Sequence, residues 1–88
     1  MANILYEDVG RVTGVSLDGT TVSDDDLAKL ASLSLLQGID ISRTGITDAG
    51  LSHLEAMPQL RYINAQRTGL SELAVRELKR RRPSLVID

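Results

Sequence analysis

Cysteine, phenylalanine and tryptophan are absent from this 88-residue chain, proline and tyrosine occur twice each, and histidine occurs once. Without cysteine there are neither disulfides nor thiolate metal sites, and a cytoplasmic location is expected. Without large rings, the apolar fraction of 42% is almost entirely Leu, Ile, Val and Ala, which suits a thin, regularly layered structure better than an irregular globule. Long apolar runs are missing too. The start, Met1 to Val9, carries Glu7 and Asp8 and reads as neither signal peptide nor membrane span, so no membrane partner is expected. A chain this short has room for one small core.

The formal net charge of −2 hides an asymmetry. Residues 1–60 carry three basic residues (Arg11, Lys29, Arg43) against nine acids, whereas residues 61–88 carry seven basic residues against three acids. In an elongated protein this makes one end acidic and the other basic.

What is present is a repeat of 24 residues. Val15, Ile39, Ile63 and Ile87 are one column; Thr20, Thr44 and Thr68 a second; Val22, Ile46 and Leu70 a third; Leu27, Leu51 and Val75 a fourth; Leu30, Leu54 and Leu78 a fifth. Each unit starts with a short alternating stretch (Val15 and Leu17, Ile39 and Ile41, Ile63 and Ala65), the pattern of a strand with one buried face. Ser23, Thr47 and Ser71 then stand where a helix N-cap belongs, followed by Asp24, Asp48 and Glu72 to meet the helix dipole. The inward face of each helix is a pair spaced i and i+3: Leu27 with Leu30, Leu51 with Leu54, Val75 with Leu78. Successive strands must lie parallel, because each begins one unit later.

The stretches V-x-x-V-x-L-x-x-T-x-V, L-x-x-I-x-I-x-x-T-x-I and L-x-x-I-x-A-x-x-T-x-L resemble the leucine-rich-repeat signature L-x-x-L-x-L-x-x-N-x-L across residues 12–88. The run T-G-I-T-D-A-G-L-S-H-L-E-A-M-P-Q-L (44–60) is similar to the bacterial subtype that carries Thr for Asn and continues T-D-x-G-L-x-x-L. The resemblance implies an α/β fold: a right-handed leucine-rich-repeat solenoid of about three and a half coils, with parallel strands on the concave face and short helices on the convex face. It divides the chain into an N-terminal cap segment (1–11, with Ile4, Leu5, Tyr6 and Val9 covering the first coil), repeats at 12–35, 36–59 and 60–84, and a terminal strand at 85–88 with no matching cap. It also implies that Thr20, Thr44 and Thr68 satisfy backbone groups at the turn between neighbouring coils. The sequence departs from the pattern at Ala65 and at Leu73-Ala74, where the second unit has Ala49-Gly50, so a looser third coil is expected.

Chemistry is scarce. His53 shares its slot with Lys29 and Glu77 on the outward side of a helix, and no nucleophile, base or carboxylate pair assembles around it, so no catalytic residue and no enzyme activity are expected. The run Asp24, Asp25, Asp26 opens a helix and lacks EF-hand spacing, so no metal is expected, and no cofactor either. Lys79, Arg80, Arg81 and Arg82 close the last helix, where cations belong; with aromatics missing and pI near 5.3, nucleic acid is not an expected partner.

A ligand would instead lie on the strand positions that point away from the core. Asp18, Asp40, Ser42, Arg43, Arg61, Tyr62, Asn64, Gln66 and Arg67 are the candidate partner-binding residues, with Tyr62 the one large amphipathic group. The expected function is a non-catalytic protein-protein interaction module whose concave strand face binds a protein of unspecified identity. The alternative is a self-assembling structural protein joined through Leu85, Val86, Ile87 and Asp88 at an uncapped C-terminal end, either as a homodimer or as a head-to-tail filament. A segment of a longer solenoid fits the same pattern.

Overall fold

Among the residues that the computed structural model describes, 3–8, 11–30 and 35–88, eight elements follow one another. They are β1 (Asn3–Asp8), β2 (Arg11–Ser16), α1 (Asp24–Leu30), β3 (Gly38–Asp40), α2 (Asp48–Glu55), β4 (Tyr62–Asn64), α3 (Glu72–Arg81) and β5 (Val86–Ile87). Strands β2 to β5 pair in parallel in chain order, and β1 joins β2 antiparallel at the edge, with register irregularities around Tyr6. The class is α/β: four parallel strands, one antiparallel edge strand and three helices. Of the segment expected to cap the first repeat, residues 3–8 form β1. Val9 and residues 31–34 of the first repeat lie outside the described residues.

The 24-residue spacing reappears as strand register. Val15 pairs with Ile39, Ile39 with Ile63 and Ile63 with Ile87. This column faces the helices, and Val15, Ile39 and Ile63 are at most 3% exposed. Leu27, Leu51, Leu54 and Leu78 meet it from the helices, Leu17, Ile41 and Ile46 from the turns, and Leu36, Leu60 and Leu85 from the segments entering the strands. Each fully buried Leu or Ile contributes about 1.5–3 kcal/mol relative to exposure. Leu30 and Val75 are only partly buried, and so is Ala65, where the two earlier units bury Leu17 and Ile41. Leu85, expected at a self-association surface, is 4% exposed and belongs to this core. It precedes β5 and repeats the role of Leu36 and Leu60, so it cannot meet a second molecule without unfolding its own.

The helices start as their caps dictate. Ser23 and Asp26 exchange bonds in a reciprocal box, the Ser23 N–H donating to the Asp26 carboxylate and the Asp26 N–H to the Ser23 hydroxyl. The Thr47 and Ser71 hydroxyls accept from the N–H groups of Ala49 and Ala74. Helix α3 ends at Arg81 with Arg82 as its C-cap, just before Pro83, whose ring disfavours helical geometry in the residue preceding it.

The threonine column does not bridge units. Thr20, Thr44 and Thr68 donate to the carbonyls of Leu17, Ile41 and Ala65 at 2.6–2.8 Å, three residues back, and accept from the N–H two residues on. Each of these three hydroxyls closes its own turn as a donor and an acceptor at once. Carboxylates make the link between units. The Asp24 carboxylate accepts from the N–H and hydroxyl of Thr47 at 2.8 and 2.6 Å, and that of Asp48 accepts from the N–H and hydroxyl of Ser71 at 2.8 Å each. These two donors hold the Asp48 carboxyl below its ordinary pKa. Each helix start is thus tied to the next.

Candidate partner-binding face

Strand alternation turns the neighbours of the Val15 column away from the helices. Gly14, Gly38, Tyr62 and Val86 form one row of that outer face, and Ser16, Asp40, Asn64 and Asp88 the next. The first two rungs carry no side chain in the first row, so the face is hollow there. A groove of about 310 Å³ results, floored by Gly14 and Gly38 and walled by Tyr62, Ser16, Asp40 and Asn64.

Tyr62 is 38% exposed. Its hydroxyl donates to the Asp88 carboxylate at 3.1 Å. Partial desolvation, and after it this bond to a carboxylate, raise the phenol pKa. Tyr62 is therefore a neutral amphipathic wall. Asp40 uses one carboxylate oxygen to accept from the Ser42 N–H at 3.0 Å, and Asn64 repeats the arrangement with the Gln66 N–H at 3.3 Å. These turns fix both side chains while leaving the second Asp40 oxygen and the Asn64 amide nitrogen for a ligand.

The other candidate residues fall elsewhere. Ser42 is 8% exposed rather than presented to a partner. Alternation stops where the strand gives way to the turn, and the Ser42 hydroxyl sits between two carboxylates, at 2.5 Å from Asp40 and 3.0 Å from Asp18. Arg43 reaches the Asp18 carboxylate through two nitrogens at 2.8 and 2.6 Å, so Asp18, Ser42 and Arg43 form a self-satisfied cluster beside the groove. The Arg43 bonds, followed by the one from Ser42, hold the Asp18 carboxyl below its ordinary pKa. Gln66 and Arg67 are exposed beyond the C-terminal end of β4, and Arg61 at its N-terminal end, so these three do not line the groove. Of the nine candidates, Asp40, Tyr62 and Asn64 come together in it.

The turn following each strand has a feature that spacing alone does not reveal. Gly19, Arg43 and Arg67 occupy one repeat position and all have left-handed backbone, with φ of 70°, 53° and 57°. Glycine adopts this conformation freely; a side chain is crowded there. Arg67→Gly should therefore raise stability by about 0.5–1 kcal/mol. Urea unfolding followed by circular dichroism measures this. Arg43→Gly should gain less, because it also removes the contact with Asp18.

No protein-family model matches the chain, and no curated protein matches it. Among the described residues, no group of three or more His, Cys, Asp or Glu side chains is placed to hold a metal ion, and no helix is long and apolar enough to cross a membrane.

Proposed function

We propose that the chain is a leucine-rich-repeat solenoid of about three and a half right-handed coils, acting in the cytoplasm as a non-catalytic module that binds a protein through its strand face. The observation that carries this reading is the groove of Gly14, Gly38, Asp40, Tyr62 and Asn64. It combines an open floor, one rigid aromatic wall and polar groups held in place by their own turns, which is how a recognition surface is preorganised.

The test is capture with the full chain as bait, comparing the native protein, Tyr62→Ala and Arg80→Ala. The partner should be retained by the native and Arg80→Ala baits and lost about tenfold or more with Tyr62→Ala. Circular dichroism should report an intact fold for all three. Equal capture by Tyr62→Ala would rule out this face.

A further inference from the structure

We infer that the edge formed by β5 and α3 joins a second copy of this chain about a two-fold axis, giving a symmetric dimer. Strand β5 is the last in the sheet order. Val86 and Asp88 donate their N–H groups to Arg61 and Ile63 of the neighbouring segment, and Asp88 accepts from Ala65. Parallel-ladder alternation leaves the N–H and C=O of Ile87 on the outer edge. Two Ile87 residues related by a two-fold axis perpendicular to the sheet can exchange both bonds, the arrangement of an antiparallel hydrogen-bonded pair.

Behind that edge lies a groove of about 430 Å³ between α3 and β5. Its floor is apolar, with Ala65, Leu70, Val75 and Ile87 each half-buried against the core. From α3 it is rimmed by Glu72, Arg76 and Lys79, which share one helical face at i, i+4 and i+7. The axis that pairs the two β5 strands antiparallel also sets the two α3 helices antiparallel. Glu72 of one copy then faces Lys79 of the other, twice per dimer. With Arg76 and Asp88 the rim holds two acids and two bases, so the surface is complementary to itself.

The head-to-tail alternative is less well served. At the other end of the sheet the edge strand is β1, which runs antiparallel to β2, so β5 of a following copy would meet it antiparallel instead of extending the parallel stack. Two of the acids there are engaged within the chain, Asp24 with Thr47 and Asp26 with Ser23 and Lys29. A perpendicular two-fold also leaves both outer sheet faces on the same side, so the dimer would present two copies of the Tyr62 groove together.

The experiment is sedimentation equilibrium of the full chain over a concentration series, alone and as the charge reversals Glu72→Lys and Lys79→Glu, with circular dichroism to verify folding. The native chain should double its mass from 9.6 kDa. Each reversal alone places like charges together at both symmetric contacts and should weaken the dimer about tenfold. Mixing the two single variants should restore association, because both contacts across the axis of the heterodimer then join opposite charges again, one of them with its polarity exchanged. A monomer at every concentration, a dimer unaffected by either reversal, a mixture that fails to associate, or a mass that keeps growing with concentration would each overturn the proposal. None of these results depends on whether the Tyr62 face binds a partner.

Discussion

Arg82→Ala is expected to destabilise the fold by about 2–3 kcal/mol, whereas Arg80→Ala should change it by less than about 0.5 kcal/mol. The half-buried Arg82 guanidinium donates to the carbonyls of Met57 and Leu60 at 2.9 Å and to that of Glu55 at 3.3 Å. These carbonyls belong to the C-terminal end of α2 and the segment leading into β4. Helix ends leave carbonyls without intrahelical donors, and here a side chain from the following unit supplies them. Removing it strips a charged donor from three acceptors and uncovers the surface beneath its stem. Arg80 pairs with Glu77, exposed and one helical turn away, and such pairs contribute little. Arg82→Lys should fall between, since an ammonium has no planar fork to span several carbonyls. Urea unfolding of the three variants gives the ranking. Equal losses for Arg80→Ala and Arg82→Ala would mean that the clamp is not a stabilising element. A domain of this kind has about 5–15 kcal/mol in all, so the Arg82 loss would be a large share.

In the sequence these arginines look alike. Lys79 to Arg82 reads as one basic run ending a helix, and the helix dipole accounts for it fully. A step of about 100° per residue separates the four in space. Lys79 turns to the edge groove, Arg80 to Glu77 and Arg81 to Glu55 of the preceding helix, while Arg82 leaves the helix to reach back. Contacts between one unit and the next have no local signature. The same limit hides the links from Asp24 to Thr47 and from Asp48 to Ser71, whose carboxylates a linear reading assigns to their own helix dipoles.

Residues whose environment follows from period and alternation are legible. Val15, Ile39 and Ile63 are buried, Ser23, Thr47 and Ser71 cap helices, and Tyr62 stands on the outer face. Legibility fails where alternation ends. Ser42 and Leu85 lie one or two residues outside a strand, and there the turn decides the direction of the side chain. Met57 belongs to the core, and its repeat position is harder to read because it holds Leu33 in the first unit but Arg81 in the third. The left-handed arginines share a repeat position with Gly19, and that shared glycine was the available signal.

Gly50→Ala tests how closely the first two helices approach, and it should destabilise by about 2 kcal/mol, the opposite sign from what helix propensity predicts. Gly50 sits buried in the first turn of α2, where alanine would ordinarily gain about 1 kcal/mol. A Cβ built there would lie 2.6 Å from an Asp24 carboxylate oxygen and 3.0 Å from both the Ile46 Cγ2 and the Leu27 Cδ1. Neither kind of neighbour yields freely. Leu27 and Ile46 are fully buried, and the Asp24 carboxylate is held by the N–H and hydroxyl of Thr47. Relief would have to come from moving α2 off α1 or from breaking the Asp24 link, and either costs stability. The equivalent position in α3 already carries Ala74, half-buried at the less covered end of the core. Removing the link separates the two contributions. Asp24→Ala alone should destabilise by about 1 kcal/mol, and Asp24→Ala with Gly50→Ala should cost less than the sum of the two, because the closest obstacle has gone. Additive losses in chemical denaturation would place the strain on Leu27 and Ile46, and a stabilised Gly50→Ala would mean that the helices are free to separate.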